Sequence, residues 1–84
     1  MSHRVEFAAG AAVIYHTLPT AAQDALRDRA VDLAERPWDD AAVRPPGDDP
    51  RFRTTLFSDG AGVLDFFVDD DAEVVRLFDM VWFG

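Results

Sequence analysis

The sequence contains no cysteine and no lysine, and no apolar run approaches the roughly 18 residues of a membrane-spanning helix. Without cysteine the chain has no disulfide framework, no thiolate zinc site and no cysteine nucleophile. Its first residues also lack a cationic segment followed by a long apolar stretch. We therefore expect no signal peptide, no membrane association and a cytoplasmic protein.

Positive charge is scarce. The 16 acidic residues outnumber eight basic ones, all arginine, so the formal net charge at pH 7 is −8. Such a charge repels a polyanion at long range. General binding of DNA or RNA is therefore excluded as the expected function.

Apolar residues, in contrast, are plentiful. They make up 49% of the 84 residues and include seven Phe and two Trp. A chain of this length and composition suits one modest hydrophobic core. We expect residues 1–84 to form a single domain.

Two helices are predicted after a short first strand at residues 4–7. The first covers 8–18, with an apolar period of three and four residues. The second begins after Pro19, where Thr20 and Gln23 have capping-box spacing, and it ends before Pro37. Its apolar stripe consists of Ala22, Leu26, Ala30, Leu33 and Ala34.

Three strands are predicted next, over residues 51–57, 62–68 and 73–83. The connecting segments, Ser58-Asp59-Gly60 and Asp69-Asp70-Asp71, have the composition of turns. The order β-α-α-β-β-β predicts an α+β fold. In it a helical hairpin packs on one face of a mainly antiparallel four-stranded sheet.

Several short phrases occur along this order: Val5-Glu6-Phe7, Leu18-Pro19, Glu35-Arg36-Pro37, Phe52-Arg53, Ser58-Asp59-Gly60 and Phe67-Val68-Asp69-Asp70. In their order and spacing the chain resembles the RelE/ParE superfamily of type II toxins, bacterial proteins that antitoxins neutralise. The resemblance covers nearly the whole chain. It implies the α+β fold described above and an antitoxin-like partner.

The same resemblance implies basic side chains on the second strand, an Arg on the third, and Arg, His or Tyr near the end of the fourth. Arg53 matches the first of these, with Arg51 close by. The remaining positions hold no such groups: Thr55, Gly62 or Val63, and Trp82-Phe83-Gly84. Losing several groups that move protons and stabilise charge raises the barrier of RNA cleavage by several kcal/mol. A degenerate ribonuclease site is the expected result.

Strand alternation divides the remaining side chains between two faces. The core face is expected to hold Phe52, Thr54, Leu56, Leu64, Phe66, Val68, Val75, Leu77, Val81 and Phe83. The opposite face is expected to carry arginines and a binding face of Phe57, Asp65, Phe67, Phe78, Met80 and Trp82. Such a patch suits a protein partner, either an antitoxin-like chain or a second copy. Alternatively, the segment 38–50 shields it within the monomer.

Charge on the opposite face allows two interpretations. If both turns are simple hairpins, Asp65 lies opposite Arg53 and Arg76, as an ion-pair row supporting the sheet or as part of an anion site. The chief hypothesis is a toxin-like protein that acts by protein association. The alternative is an mRNA endoribonuclease that uses Arg51, Arg53 and Arg76 on the ribosome. Inhibition of DNA gyrase follows only from the family's other branch.

Other candidate groups have simpler interpretations. His3 and His16 lack partners at metal-ligand spacing, and the Asp69-Asp70-Asp71 run is typical of a solvated turn. We expect no metal site and no cofactor. Asp79 falls on the predicted core face, where an unpaired carboxylate is costly. The sequence leaves two solutions open: a β-bulge or strand end that turns Asp79 outward, or a pairing with Arg4 or His3 if the first strand lies beside the last.

Overall fold

The computed structural model describes residues 2–38, 42–43 and 47–84, with the backbone alone at 42–43. The elements in chain order are β1 (Arg4–Phe7), α1 (Ala11–Thr17), α2 (Thr20–Glu35), β2 (Ala42–Val43), β3 (Phe52–Phe57), β4 (Gly62–Asp69) and β5 (Val74–Trp82). They form a sheet of order β1-β5-β4-β3-β2 with both helices on one face.

The predicted fold class is confirmed. β3, β4 and β5 form an antiparallel meander, and β1 pairs with β5 in parallel, so the sheet is mixed. The two-residue β2 pairs with β3 and was not predicted. It lies in the segment 38–50, part of which falls outside the described residues, so the predicted shielding role of that segment remains a prediction.

The two helices meet at Pro19, and the side chain of Gln23 links them by a hydrogen bond. The predicted capping box is wrong: α2 begins after Pro19, and no side-chain hydrogen bond caps it. Instead, Nε2 of Gln23 donates to the backbone oxygen of Tyr15 at 3.0 Å. The Gln23 amide, which was expected to cap the N-terminus of α2, therefore joins α2 to α1 by a hydrogen bond.

The core lies between the helices and one face of the sheet. The predicted stripe of α2 is buried, except that Ala34 is only partly so. The side chains with under 2% exposure include Leu26, Leu33, Leu64, Phe66, Val68, Val75 and Leu77. Burial of these groups is the main stabilising contribution to the fold.

A β-bulge in β5 changes the side on which its later residues lie. Asp65 is paired with Asp79 whereas Phe66 is paired with Leu77, which leaves Phe78 as an extra residue. The bulge turns Asp79 away from the core, which is one of the two solutions that the sequence left open. It also turns Met80 inward to 3% exposure, so the assignments of Met80 and Trp82 to the opposite face were wrong.

The predicted faces of β3 were wrong along its whole length. Phe57 is buried at 3% exposure, whereas Phe52 and Leu56 are exposed. The cause is the register of the first hairpin, in which Phe57 pairs with Gly62 across a four-residue turn. A Cβ at position 62 would overlap the Phe57 ring, so the missing side chain makes room for that ring.

We predict that Gly62→Ala lowers the free energy of unfolding by about 1–3 kcal/mol, because the new methyl group displaces the Phe57 ring. Urea denaturation measures the change. In a Phe57→Ala background the space is vacant, and the same substitution should then cost much less. Equal costs in both backgrounds would contradict the assigned role of the Phe57–Gly62 contact.

Candidate functional site

Arg53, the basic residue that matches the resemblance best, lies on the helix-covered face of β3 and is only 9% exposed. Its guanidinium donates to the carbonyl oxygens of Pro50 at 3.2 Å and Trp38 at 3.4 Å. It also lies 5.2 Å from the centre of the Trp38 ring. The predicted placement on the opposite face was therefore wrong, and Arg53 is held beneath the segments that flank β3.

Thr55 is also buried beneath α2, and it has an arginine as its partner. Nε and Nη2 of Arg29 lie 3.3 and 2.7 Å from the Thr55 hydroxyl oxygen. Nη1 of the same side chain lies 3.9 Å from a carboxylate oxygen of Asp32. A cation from α2 thus reaches the strand position where the resemblance implies a second base.

Arg29 was missed by the sequence analysis, although a signal was present. Position 29 is seven residues after Ala22 and four before Leu33, so it falls on the buried stripe of α2. A charged residue on such a stripe indicates a partner across the helix–sheet interface. Here that partner is the Thr55 hydroxyl.

A cleft of about 540 Å³ opens beside this contact, between α2 and the turn from β3 to β4. Arg29 contributes one positive charge to its lining, and three carboxylates oppose it, those of Asp28, Asp32 and Asp59. The cleft is therefore negative overall. Such a lining disfavours the approach of phosphate groups.

We call the sheet surface turned away from the helices the open face. Cross-strand pairing arranges its described side chains in rows, and three of these rows concern the predicted binding face. The aromatic row holds Glu6, Arg76, Phe67 and Phe52, joined by Phe78 at the bulge; the carboxylate row holds Asp79, Asp65 and Thr54; and the aliphatic row holds Val81, Val63 and Leu56.

This arrangement retains part of the predicted binding face. Asp65, Phe67 and Phe78 lie on the open face, whereas Phe57, Met80 and Trp82 contribute to the core. The predicted Arg53-Asp65-Arg76 row does not form, because Asp65 lies opposite Thr54 and Asp79. The hairpin register and the bulge together account for the difference.

Aromatic rings form a shallow pocket at one end of the open face. The Phe52 ring lies 4.8 Å from Phe67 and 5.5 Å from Phe78, both in edge-on contacts. With Arg76 these rings line a pocket of about 260 Å³. Nη2 of Arg76 lies 3.5 Å from a carboxylate oxygen of Glu6, so the arginine that lines the pocket belongs to an ion pair.

Arg51 lies beside the same pocket. Its guanidinium is 5.2 Å from the centre of the Phe67 ring, and its Nη2 lies 2.7 Å from Oδ2 of Asp49. The side-chain and backbone hydrogen bonds from Arg51 lower the pKa of the Asp49 carboxyl group. The Asp49 hydrogen bond likewise raises the pKa of Arg51, so this exposed pair stays ionised at neutral pH.

The remaining predicted groups have structural partners. Nε2 of His3 lies 2.9 Å from Oδ1 of Asp70, which also accepts a hydrogen bond from the indole of Trp38 at 3.3 Å. Asp69 accepts a hydrogen bond from the backbone of Ala72, as expected of a turn. Within the described residues, no group of three His, Asp or Glu side chains is placed to hold a metal ion.

No helix in the described part of the chain is long and apolar enough to cross a membrane.

Comparison with known proteins gives a result for structure but not for sequence. No protein-family model matches the chain, and no curated protein matches it in sequence. Among solved structures, the RelBE2 toxin–antitoxin complex of Mycobacterium tuberculosis matches with a TM-score of 0.83 at 20% identity. The match covers 98% of this chain and 99% of that one. The chain has the fold of the RelE toxins.

Two further RelE structures agree. The isolated RelE toxin of E. coli matches with a TM-score of 0.83 at 17% identity, over 99% of this chain and 86% of that one. The archaeal RelE–RelB complex of Pyrococcus horikoshii has a TM-score of 0.71 at 13% identity, covering 100% and 98% of the chains. The fold implied by the sequence resemblance is thereby confirmed, at identities that carry no information on activity.

The Arg29–Thr55 contact can be tested by a double-mutant cycle. Arg29→Met leaves a buried hydroxyl group without its arginine, and we expect the free energy of unfolding to fall by about 1–3 kcal/mol. Thr55→Val in the same background removes that hydroxyl and should restore part of the loss. No recovery in urea denaturation would contradict the assigned pairing.

The Asp49–Arg51 pair can be tested by titration. We expect the Asp49 pKa, measured by carboxyl NMR, to lie below its ordinary value and to rise towards it in Arg51→Gln. Because the folded-state pKa is depressed, the pair's contribution to stability is present above the unfolded-state pKa and is lost as pH falls through the folded one. An unchanged Asp49 pKa in Arg51→Gln would contradict this.

Proposed function

We propose that this protein is a toxin-like member of toxin–antitoxin systems whose ribonuclease site is degenerate, and that it acts chiefly by binding another protein. The observation that carries the proposal is the burial of Arg53, the one basic residue that matches the family's second-strand position. Its guanidinium is occupied by two carbonyl oxygens and covered by an indole ring.

The other strand positions at which the resemblance implies basic groups support the same conclusion. Cleavage of RNA by its own 2′-oxygen needs a base for the proton, a cation for the phosphorane and an acid for the leaving group. Thr55 accepts its hydrogen bonds from Arg29, and positions 62 and 63 hold Gly and Val. The adjoining cleft holds more carboxylates than cations. These groups supply little of the required chemistry.

Binding to a protein is supported by the open face. Phe52, Leu56 and Val81 are 38%, 58% and 46% exposed. Phe52 lies with the half-buried Phe67 and Phe78 in the aromatic row, and Leu56 and Val81 lie in the aliphatic row. The open face therefore carries two apolar clusters rather than scattered single residues. Complexes of similar structures point the same way, since RelE toxins have been solved with antitoxin chains. A cytoplasmic location is part of the proposal.

One observation favours a second candidate function, an mRNA endoribonuclease with an unorthodox site. Arg51 and Arg76 flank the aromatic pocket on the open face. Aromatic rings beside arginines are the groups on which unpaired bases stack in single-stranded RNA. In this alternative the ribosome and mRNA are the partners, and Arg53 supports β3 without touching RNA.

The decisive measurement is cleavage of a defined mRNA on programmed ribosomes by the purified protein, with an active RelE toxin as the positive control. We expect no cleavage at any protein concentration tested. The matched variant is Arg51→Ala/Arg76→Ala, which changes two partly exposed arginines.

Cleavage that the double variant loses would overturn the proposal in favour of the endoribonuclease. Cleavage that the double variant retains would also overturn it and would place the site in the cleft beside Arg29. Arg53→Ala is a poor test of catalysis, because it removes buried contacts to Trp38 and Pro50 and is expected to destabilise the protein.

A further inference from the structure

The turn from β3 to β4 contains the only Asp-Gly pair in the chain, Asp59-Gly60. Both residues are exposed. The turn is closed by a hydrogen bond from the backbone amide of Ala61 to the backbone oxygen of Ser58, at 3.0 Å. An aspartate followed by glycine suits a turn, and it also has a covalent reactivity, because the glycine nitrogen can attack the aspartate side chain.

The two groups that would react have no other engagement within the described residues. The Asp59 carboxylate makes no hydrogen bond or ion pair there, and the backbone amide of Gly60 donates no hydrogen bond. A Cβ built on Gly60 would meet nothing within 4 Å. The approach of the Gly60 nitrogen to the Asp59 carboxyl carbon is therefore unhindered, and it is intramolecular because the residues are consecutive.

The backbone of the turn is in an unfavourable conformation. Ser58, Asp59 and Gly60 have φ values of 54°, 53° and 88°. Glycine adopts this left-handed region freely, aspartate adopts it at some cost, and serine is disfavoured there. A change in the main chain between Asp59 and Gly60 would allow Ser58 to leave this region.

We propose that Asp59 is a site of spontaneous modification, at which aspartate is converted to isoaspartate through a cyclic imide. The Gly60 nitrogen attacks the protonated side-chain carboxyl group of Asp59 and forms a new C–N bond. The carboxyl hydroxyl leaves with the amide proton as water. Water then adds to the former main-chain carbonyl of the imide, and the C–N bond at that carbonyl breaks. The chain now runs through the Asp59 side chain, a carboxylate remains on its Cα, and the mass is unchanged.

The charge around the turn favours the imide. Asp59 lines the cleft beside α2 together with Asp28 and Asp32, and Arg29 contributes the one positive charge of this lining. Formation of the imide removes one of three carboxylates from this negative cleft, and so reduces their mutual repulsion. The reaction needs only water, and it does not depend on the proposed function.

The modification affects the turn that sets the register of β3. Isoaspartate adds one carbon atom to the main chain between Asp59 and Gly60. The unmodified turn places Phe57 opposite Gly62, where the Phe57 ring occupies the space of the missing Cβ. A longer turn weakens the selection of this register, so aged molecules are expected to unfold more easily than fresh ones.

The test incubates the purified chain at neutral pH and physiological temperature. Isoaspartate is counted by labelled methyl transfer from an isoaspartyl methyltransferase and located by electron-transfer fragmentation. We expect it chiefly at position 59, preceded by a species lighter by one water. Its rate of formation should lie within about tenfold of the rate in the chain unfolded by guanidinium chloride, because the turn offers little protection.

Asp59→Glu is the matched control. It keeps the negative charge, but its longer side chain would have to close a larger ring, so we expect no modification at position 59. Urea denaturation after incubation should show a lower midpoint for the wild type and an unchanged midpoint for the variant. If Asp59→Glu does not fold, as judged by circular dichroism, Asp59→Ser replaces it.

A rate more than about tenfold slower in the folded than in the unfolded chain would overturn the proposal, because the turn would then be protective. Isoaspartate found mainly at other aspartates, or formed equally in the control variant, would also overturn it. A modified wild type with an unchanged midpoint would contradict the link to the register of β3. None of these readouts depends on mRNA cleavage, so their failure is distinguishable from failure of the proposed function.

Discussion

The alternation of side chains along β4 is the constraint on which the rest of the sheet depends. Leu64, Phe66 and Val68 are fully buried beneath the helices, and the residues between them lie on the open face. β4 is bonded to a strand on each side. Every neighbouring side chain is therefore assigned to a face by its pairing with β4, and small changes of pairing have large consequences.

Two features of pairing, the register of β3 with β4 and the bulge in β5, account for the differences between the structure and the faces predicted from the sequence. The order of elements and the faces of β4 followed from hydrophobic period, because both depend on local pattern. The faces of β3 depended on which residue lies opposite Gly62, and apolar residues occur on both faces of that strand. After Phe78, the bulge reverses which residues of β5 face the core and which face away from it, and strand alternation alone does not predict such a reversal.

The candidate site shows the same limit at the level of single residues. Arg53 was expected on the face turned away from the helices, in an ion-pair row or an anion site, because strand alternation placed it there. Its guanidinium is held by the carbonyl oxygens of Trp38 and Pro50. Trp38 is 15 residues away in sequence, and neither residue belongs to a periodic pattern from which the contact could be predicted. Arg29 had a detectable signal in its helical position, but its partner Thr55 could be identified only after the register of β3 was known.

The RelE fold is combined here with few basic groups at the strand positions where the resemblance implies them. At the strand position where the resemblance implies a base, Thr55 accepts a hydrogen bond from Arg29 of α2. Carboxylates border the cleft beside this contact. On the other side of the sheet, carboxylates stand at the centre of an apolar surface. Carboxylates therefore lie on both sides of a sheet that has the RelE fold.

Parallel pairing of β1 with β5 has a consequence for the order of folding. Arg4 is paired with Val74 and Phe7 with Leu77, so each contact joins segments about 70 residues apart. Closing so long a loop is entropically unfavourable and favours slow, late assembly of this pair. During synthesis β1 has no partner strand until β5 has been made, and the nascent chain exposes an unpaired edge for most of that time.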